Sequence, residues 1–224
     1  MSIDLFKILS NGSQLYKKQI GPMVSSNAEY FGSELHDKEL TTIVGRKEDP
    51  VKIIGKFQGD WLDDLDTAVA VAVQEEYTPD QFHSDYLYTA GLAKFPGRMP
   101  QFEKMVRMLG FIDTKSCNIQ MQRPGSLIRK HVDPTEIFIS EDGTIQKRVM
   151  IMLAPGEYGQ IVCFDNRVIT HWEAGTVIYV DYPNTWHFTA NAGWHTRPIL
   201  LVTGQVDSNF YNLLDQKTPT IFQL

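Results

Sequence analysis

Three pairs of the form histidine-x-acid occur among the six histidines of this chain: His83-Ser84-Asp85, His131-Val132-Asp133 and His171-Trp172-Glu173. Alternate side chains of a strand share a face, so both members of such a pair can reach one ion. With a second histidine from elsewhere they give two imidazoles and one carboxylate. That set leaves three octahedral positions open and suits Fe(II) in oxygen chemistry. The pair alone is a cheap signal, since 27 acidic residues in 224 supply about 0.7 of them by chance. Context separates the three. Fifty-six residues after His131 comes His187, and ten beyond that Arg197 opens an apolar run. A planar guanidinium there can hold the carboxylate of an anionic cosubstrate through two parallel hydrogen bonds. His83 precedes the β-rich part of the chain, and His171 has no suitable basic residue of its own, so both read as surface or loop residues.

These residues need strands to carry them. From Cys117 onward the chain reads as short runs rich in Ile, Val, Phe and Met, near 116–123, 127–131, 136–140, 147–153, 160–164, 176–182, 186–190 and 198–206. Gly, Pro, Asn or Asp separates one run from the next. Eight such strands with no helical pattern between them predict a sandwich or barrel, for which a jelly roll is the common eight-stranded solution. Ahead of them, Trp61 to Tyr77 predicts a helix with Asp60 as its N-cap. Asp63, Asp64 and Asp66 lie in its first turns, where the helix dipole favours acid, and are read that way rather than as a catalytic carboxylate pair. A second helix is predicted from Pro100 to Leu109, stopped by Gly110. Residues 1 to about 58 mix turns and short apolar clusters without a resolvable period.

The fold class expected is therefore mainly β with flanking helices. Length fits a single domain over 1–224, with an N-terminal α/β flanking region at 1–110 and a jelly-roll core at 115–206. Twenty-one basic against 27 acidic residues give a net charge of −6, which argues against a nucleic-acid surface. No stretch is long and apolar enough for a membrane span. The first residues carry Asp4 and Lys7 and no apolar signal region, so cytoplasmic residence is the expectation. Cys117 and Cys163, without Cys-x-x-Cys spacing, read as reduced core thiols.

The order His131-x-Asp133, then His187, then Arg197 resembles the signature of the Fe(II)/2-oxoglutarate-dependent oxygenases, built on the cupin-type double-stranded β-helix. Within that superfamily the C-terminal half looks most like the aspartyl/asparaginyl β-hydroxylase-like branch. Lys147 to Leu153 resembles its arginine-bearing strand, with Met150 where the branch commonly has histidine. Trp172-Glu173-Ala174-Gly175 resembles its turn, and His187 to Asn191 followed by Arg197-Pro198 resembles its distal segment. The resemblance covers residues 115–206 and implies that His131, Asp133 and His187 hold iron. It implies also that 2-oxoglutarate and O2 are cosubstrates, with Arg197, Arg148 and Ser126 binding 2-oxoglutarate. The implied substrate is an amino acid or an amino-acid side chain in a peptide or protein.

Other residues receive plainer readings. Trp186 reads as a jelly-roll core residue with a pocket wall as the alternative, Asn191 as a turn residue for which the resemblance implies support of the metal or cosubstrate, and His195 as a loop residue with substrate contact as the alternative. Thr189 is a second candidate hydroxyl for the cosubstrate. A competing expectation from another class is a catalytically silent cupin-like β-sandwich that binds a ligand or protein partner. It predicts no iron dependence.

Overall fold

A computed structural model describes residues 51–74, 87–92, 96–165 and 167–224. Much of the expected N-terminal flanking region, and the His83-Ser84-Asp85 pair with it, lies outside the described residues. The described chain runs β1 (Val51–Gln58), α1 (Leu62–Gln74), β2 (Leu87–Gly91), α2 (Pro100–Met108), β3 (Phe111–Gln122) and β4 (Ser126–His131). It continues through β5 (Lys147–Met152), β6 (Gln160–Phe164), β7 (Arg167–Ile169), β8 (Thr176–Val180) and β9 (His187–Asn191). It closes with β10 (Arg197–Val206), α3 (Ser208–Asp215) and β11 (Thr220–Gln223).

Two sheets form. The larger has the order β11-β1-β8-β5-β10-β3-β2 and the smaller β4-β9-β6-β7. From β3 to β10 successive strands alternate between the two sheets, except that β6 and β7 form a hairpin within the small one, and the fold is a cupin-type double-stranded β-helix. The central strands of the large sheet are covered on both faces and so read as continuous apolar runs. Along β5, Met150 and Met152 face the small sheet, packing with Val162, Phe164, Trp172, Ile178, Tyr182 and Ile199. Val149, Ile151 and Leu153 point the other way, into a core shared with Phe102, Met105, Leu109 and Phe210 of the helices. Cys117 and Cys163 are buried free thiols. Among the described residues no helix is long and apolar enough to cross a membrane.

Several expectations change in the folded chain. The run near 136–140 is not a strand: Thr135–Phe138 is a 3-10 turn launched by Pro134 at φ −57°, and only Ile139 bridges, to Ile145. Strands β1, β2, β7 and β11 and helix α3 were not separately visible in the pattern. Helix α3 is short and starts on Asp207, whose carboxylate accepts from the Asn209 and Phe210 amides at 2.9 and 3.3 Å. Gly110 ends α2 as expected, at φ +82°, where a side chain would collide with Asp207.

Asp64 does more than complement its own helix dipole. Its carboxylate is buried and accepts from the Gln101 and Phe102 amides at 2.7 and 2.9 Å, capping α2 from α1. The residue in the N-cap position of α2, Met99, has no cap of its own to offer. Asp64→Ala should therefore lower stability by about 1–2 kcal/mol in urea unfolding of the full chain. Asp63→Ala, at an exposed neighbouring position, should shift it by less than about 0.5 kcal/mol.

Candidate metal centre

His131 and His187 face each other across the β4–β9 ladder, with ring centroids 4.2 Å apart. The pairing is irregular between Ile128 and His131: three steps along β4 match two along β9. Simple alternation from Ser126 and Ile128 would turn Lys130 inward and His131 outward. The extra residue returns His131 to the inner face. Asp133 then lies just past the end of β4 rather than on the strand, and its Oδ1 stands 3.4 Å from His131 Nε2 and 3.9 Å from His187 Nε2. All three donor atoms fall within 4.8 Å of one another. Donors bound at cis positions to one ion sit roughly 3 Å apart, so a small contraction closes the set on a cation.

Each imidazole is oriented by its other nitrogen. His131 Nδ1 donates to the Arg129 carbonyl at 2.6 Å and His187 Nδ1 to the Thr185 carbonyl at 3.0 Å. With Nδ1 committed to a carbonyl, Nε2 carries the lone pair and faces inward, the arrangement that suits a metal ligand. Burial pushes His187 down to about 4, which leaves it neutral at ordinary pH. His131 is raised instead, chiefly by its hydrogen bond to Asp133. For Asp133, burial works upward, but the His131 hydrogen bond and the charge of Arg148 outweigh it and hold the carboxyl below its ordinary value. The donor set is thus two nitrogens and one anionic oxygen with no thiolate, which fits a hard-to-intermediate divalent cation such as Fe(II).

Arg148, expected on the cosubstrate, lies against Asp133. Its NH1 donates to Asp133 Oδ2, its Nε donates to Thr203 Oγ1 at 2.6 Å, and its guanidinium lies 4.6 Å from the Phe138 ring and 5.0 Å from that of Tyr182. Arg197 is 2% exposed. Its NH1 donates to the Ile161 carbonyl at 2.9 Å and its NH2 to Gln122 Oε1, while its buried Nε–H has no acceptor. Among the described residues no carboxylate is paired with it, and burial pulls the guanidinium down to about 10. Ser126 is buried close to Arg197 through their shared neighbour Gln122, but its hydroxyl donates to the Arg123 carbonyl in the β3–β4 turn.

Three residues at this site carry no signal in the motif reading. Gln122 uses its whole carboxamide: Oε1 accepts from Arg197 and from Thr189 Oγ1, and Nε2 donates to the Ser126 and Thr189 carbonyls. Tyr182 packs edge-on against the His187 ring at 4.8 Å, fully buried, with its hydroxyl unpaired. Desolvation raises its phenol well above the ordinary value, so it stays protonated. Thr203 anchors Arg148. Tyr182 falls at the end of the run read near 176–182 and lies in the 3-10 turn Tyr182–Asn184 that follows β8. Nothing in its type marked it out.

The remaining histidines stand apart from the triad. His171 is exposed beside Thr170, and His195 is exposed and paired with Glu157 at 2.7 Å. Asn191 serves its turn, donating to the Gln122 and His195 carbonyls and accepting from the Gly193 amide. Trp186 is not in the barrel core: it is half-exposed, with Lys130 5.4 Å from its ring centre. Trp172 fills the core position, 6.0 Å from the Arg197 guanidinium.

No protein-family model matches this chain, and no curated protein matches it in sequence. Solved structures do match its fold. The chain is similar to the non-heme alpha ketoglutarate dependent epimerase SnoN from nogalamycin biosynthesis, at a TM-score of 0.54 and 11% identity over 75% of this chain and 82% of that one. It is also similar to a Pseudomonas putida prolyl-4-hydroxylase, at a TM-score of 0.51 and 14% identity over 75% of this chain and 100% of that one. At such identities the likeness is one of architecture, and it agrees with the strand order.

His131→Ala and His187→Ala should each abolish tight binding of Co(II) in equilibrium dialysis, with far-ultraviolet circular dichroism unchanged. His171→Ala should bind like the parent chain. Equal metal uptake by all three would place the ion elsewhere.

Proposed function

We propose that this protein is an Fe(II)- and 2-oxoglutarate-dependent dioxygenase acting on an amino acid or an amino-acid side chain within a peptide or protein. The observation that carries this reading is the pairing, inside one barrel, of the His131/Asp133/His187 cluster with a buried arginine that has no carboxylate partner among the described residues. A guanidinium removed from water without an anion is costly, and a dianionic cosubstrate supplies the missing charge. The α-ketoglutarate dependence stated for SnoN and the hydroxylase character stated for the Pseudomonas enzyme point the same way for this fold. Narrowing to the aspartyl/asparaginyl β-hydroxylase-like branch rests on the sequence motifs around Lys147, Trp172 and His187.

In this reading His131, His187 and Asp133 hold the iron, and Arg197 takes the distal carboxylate of 2-oxoglutarate with Gln122 fixing the guanidinium. Bound iron would activate O2, the oxidant, whose four-electron reduction would be shared between oxidative decarboxylation of 2-oxoglutarate to succinate and CO2 and two-electron oxidation of a substrate C–H bond. The chain itself contributes orientation and dryness. Phe164 and Tyr182 pack against His187, with Phe138 stacked behind Tyr182, and keep water from its inner side. Arg148 keeps one oxygen of Asp133 occupied, so that only Oδ1 faces the two imidazoles.

Anaerobic titration of the apoprotein with Fe(II) and 2-oxoglutarate tests the proposal. A visible charge-transfer band should grow in and be absent in His187→Ala. Arg197→Ala should still take up Fe(II) but need at least about tenfold more 2-oxoglutarate for half-saturation. Iron that binds without any effect of 2-oxoglutarate would sink the oxygenase reading and favour a silent ligand-binding barrel.

A further inference from the structure

Arg148 on β5 and Thr203 on β10 stand directly opposite each other in the large sheet. Both are buried, and Arg148 Nε donates to the Thr203 hydroxyl at 2.6 Å. The Phe138 and Tyr182 rings flank the guanidinium at 4.6 and 5.0 Å. A planar guanidinium fixed at Nε and flanked by rings has its outer N–H groups aimed one way. That way lies Asp133, whose Oδ2 accepts from Arg148 NH1. The contact crosses the barrel, from the large sheet to the segment that leaves β4 of the small one.

Asp133 depends on such a hold. It stands past the end of β4 and past the last register pair of the β4–β9 ladder, and Pro134 after it favours an extended backbone. An extended backbone does not decide how a carboxyl group turns about its terminal bond, where the torsion is broad. A carboxylate can meet an ion through one oxygen or through both. Turning Oδ2 onto the ion would strip a buried guanidinium of its anion, which is strongly unfavourable.

We propose that Arg148, anchored by Thr203, is a positioning residue of the metal centre: it restricts Asp133 to one coordinating oxygen and so keeps three positions of the ion open. The inference rests on the metal-holding part of the oxygenase reading and deepens it. It gives the arginine of β5 a task other than the cosubstrate binding that the sequence resemblance implies. An ion pair that only braced the barrel would not alter what the ion carries.

The test counts the waters on a bound ion. Mn(II) alone is added to the full chain, and the broadening of its electron paramagnetic resonance lines in water enriched in the magnetic oxygen isotope gives the number of exchangeable waters. Six octahedral positions less two imidazoles and one carboxylate oxygen leave three, which is the count expected for the parent. Arg148→Met, with a thioether that packs well between aromatic rings, should carry two, because both oxygens of Asp133 can then reach the ion. Thr203→Val keeps the cation but releases its Nε, and its mean count should also fall below three. Near-ultraviolet circular dichroism identifies which variants fold as the parent does. Three waters in either folded variant, or two in the parent, would overturn the assignment. A parent chain that holds Mn(II) with three waters and gives up none of them to 2-oxoglutarate would overturn the oxygenase reading and leave this assignment standing. A parent chain that takes up no Mn(II) would overturn both.

Discussion

One inserted residue in β4 governs the centre of this protein. Side chains alternate strictly along a strand, so the face on which His131 stands is decided by a count of residues from Ser126. An even count from Ser126 and Ile128 would put the ammonium of Lys130 against His187 and push His131 into solvent. The bulge between Ile128 and His131 shifts the count by one, and His131 becomes the cross-strand partner of His187. The same shift brings the chain out of β4 so that Asp133 falls in front of both imidazoles. A bulge in a ladder forgoes regular hydrogen bonding, and here the return is a three-donor cluster.

The second organising feature is charge held out of water. Arg148 and Arg197 both lie inside the barrel, each beside aromatic rings and each fixed by a neutral residue, Thr203 for one and Gln122 for the other. Their situations differ in one respect. Arg148 has Asp133, and among the described residues Arg197 has no carboxylate. A chain selected for stability alone would replace such a cation with an apolar residue of similar volume. A buried cation in a strand otherwise reading Pro-Ile-Leu-Leu-Val is a feature that stability alone does not explain.

What was legible in the sequence follows from these constraints. The metal cluster and Arg197 could be read because strand topology ties their order: a pair leaving one strand of the small sheet, a histidine on its neighbour, and an arginine opening the next strand of the large sheet. Most strands from 116 onward were legible because sheets buried on both faces write apolar runs. The strand read at 136–140 failed because Pro134 sets up a 3-10 turn that a short apolar run does not reveal. Tryptophan size suggested a core place for Trp186, yet the core place went to Trp172, since the inward or outward sense of a residue next to His187 depends on register. Gln122, Thr203 and Asp64 were illegible for a common reason. Their partners are 75, 55 and 38 residues away, and nothing local in a glutamine, a threonine or one aspartate among three announces such a contact.

The contact between Arg148 and Asp133 bears on how the carboxylate could serve a metal. A carboxylate left free can bind an ion through both oxygens, which would consume one of the positions that two ligands and a cosubstrate need. Here the two oxygens have separate neighbours: Oδ2 meets Arg148, and Oδ1 meets His131 and His187. Arg148 cannot easily release its hold, because Thr203 fixes its Nε and two aromatic rings flank its guanidinium. A lysine in its place would lack the fork that reaches both partners at once. The arginine-bearing strand that resembles part of a cosubstrate pocket in sequence is, in the folded chain, the support of the metal-facing carboxylate. Arg197, by contrast, is held among the described residues only by neutral acceptors, the Ile161 carbonyl and Gln122 Oε1.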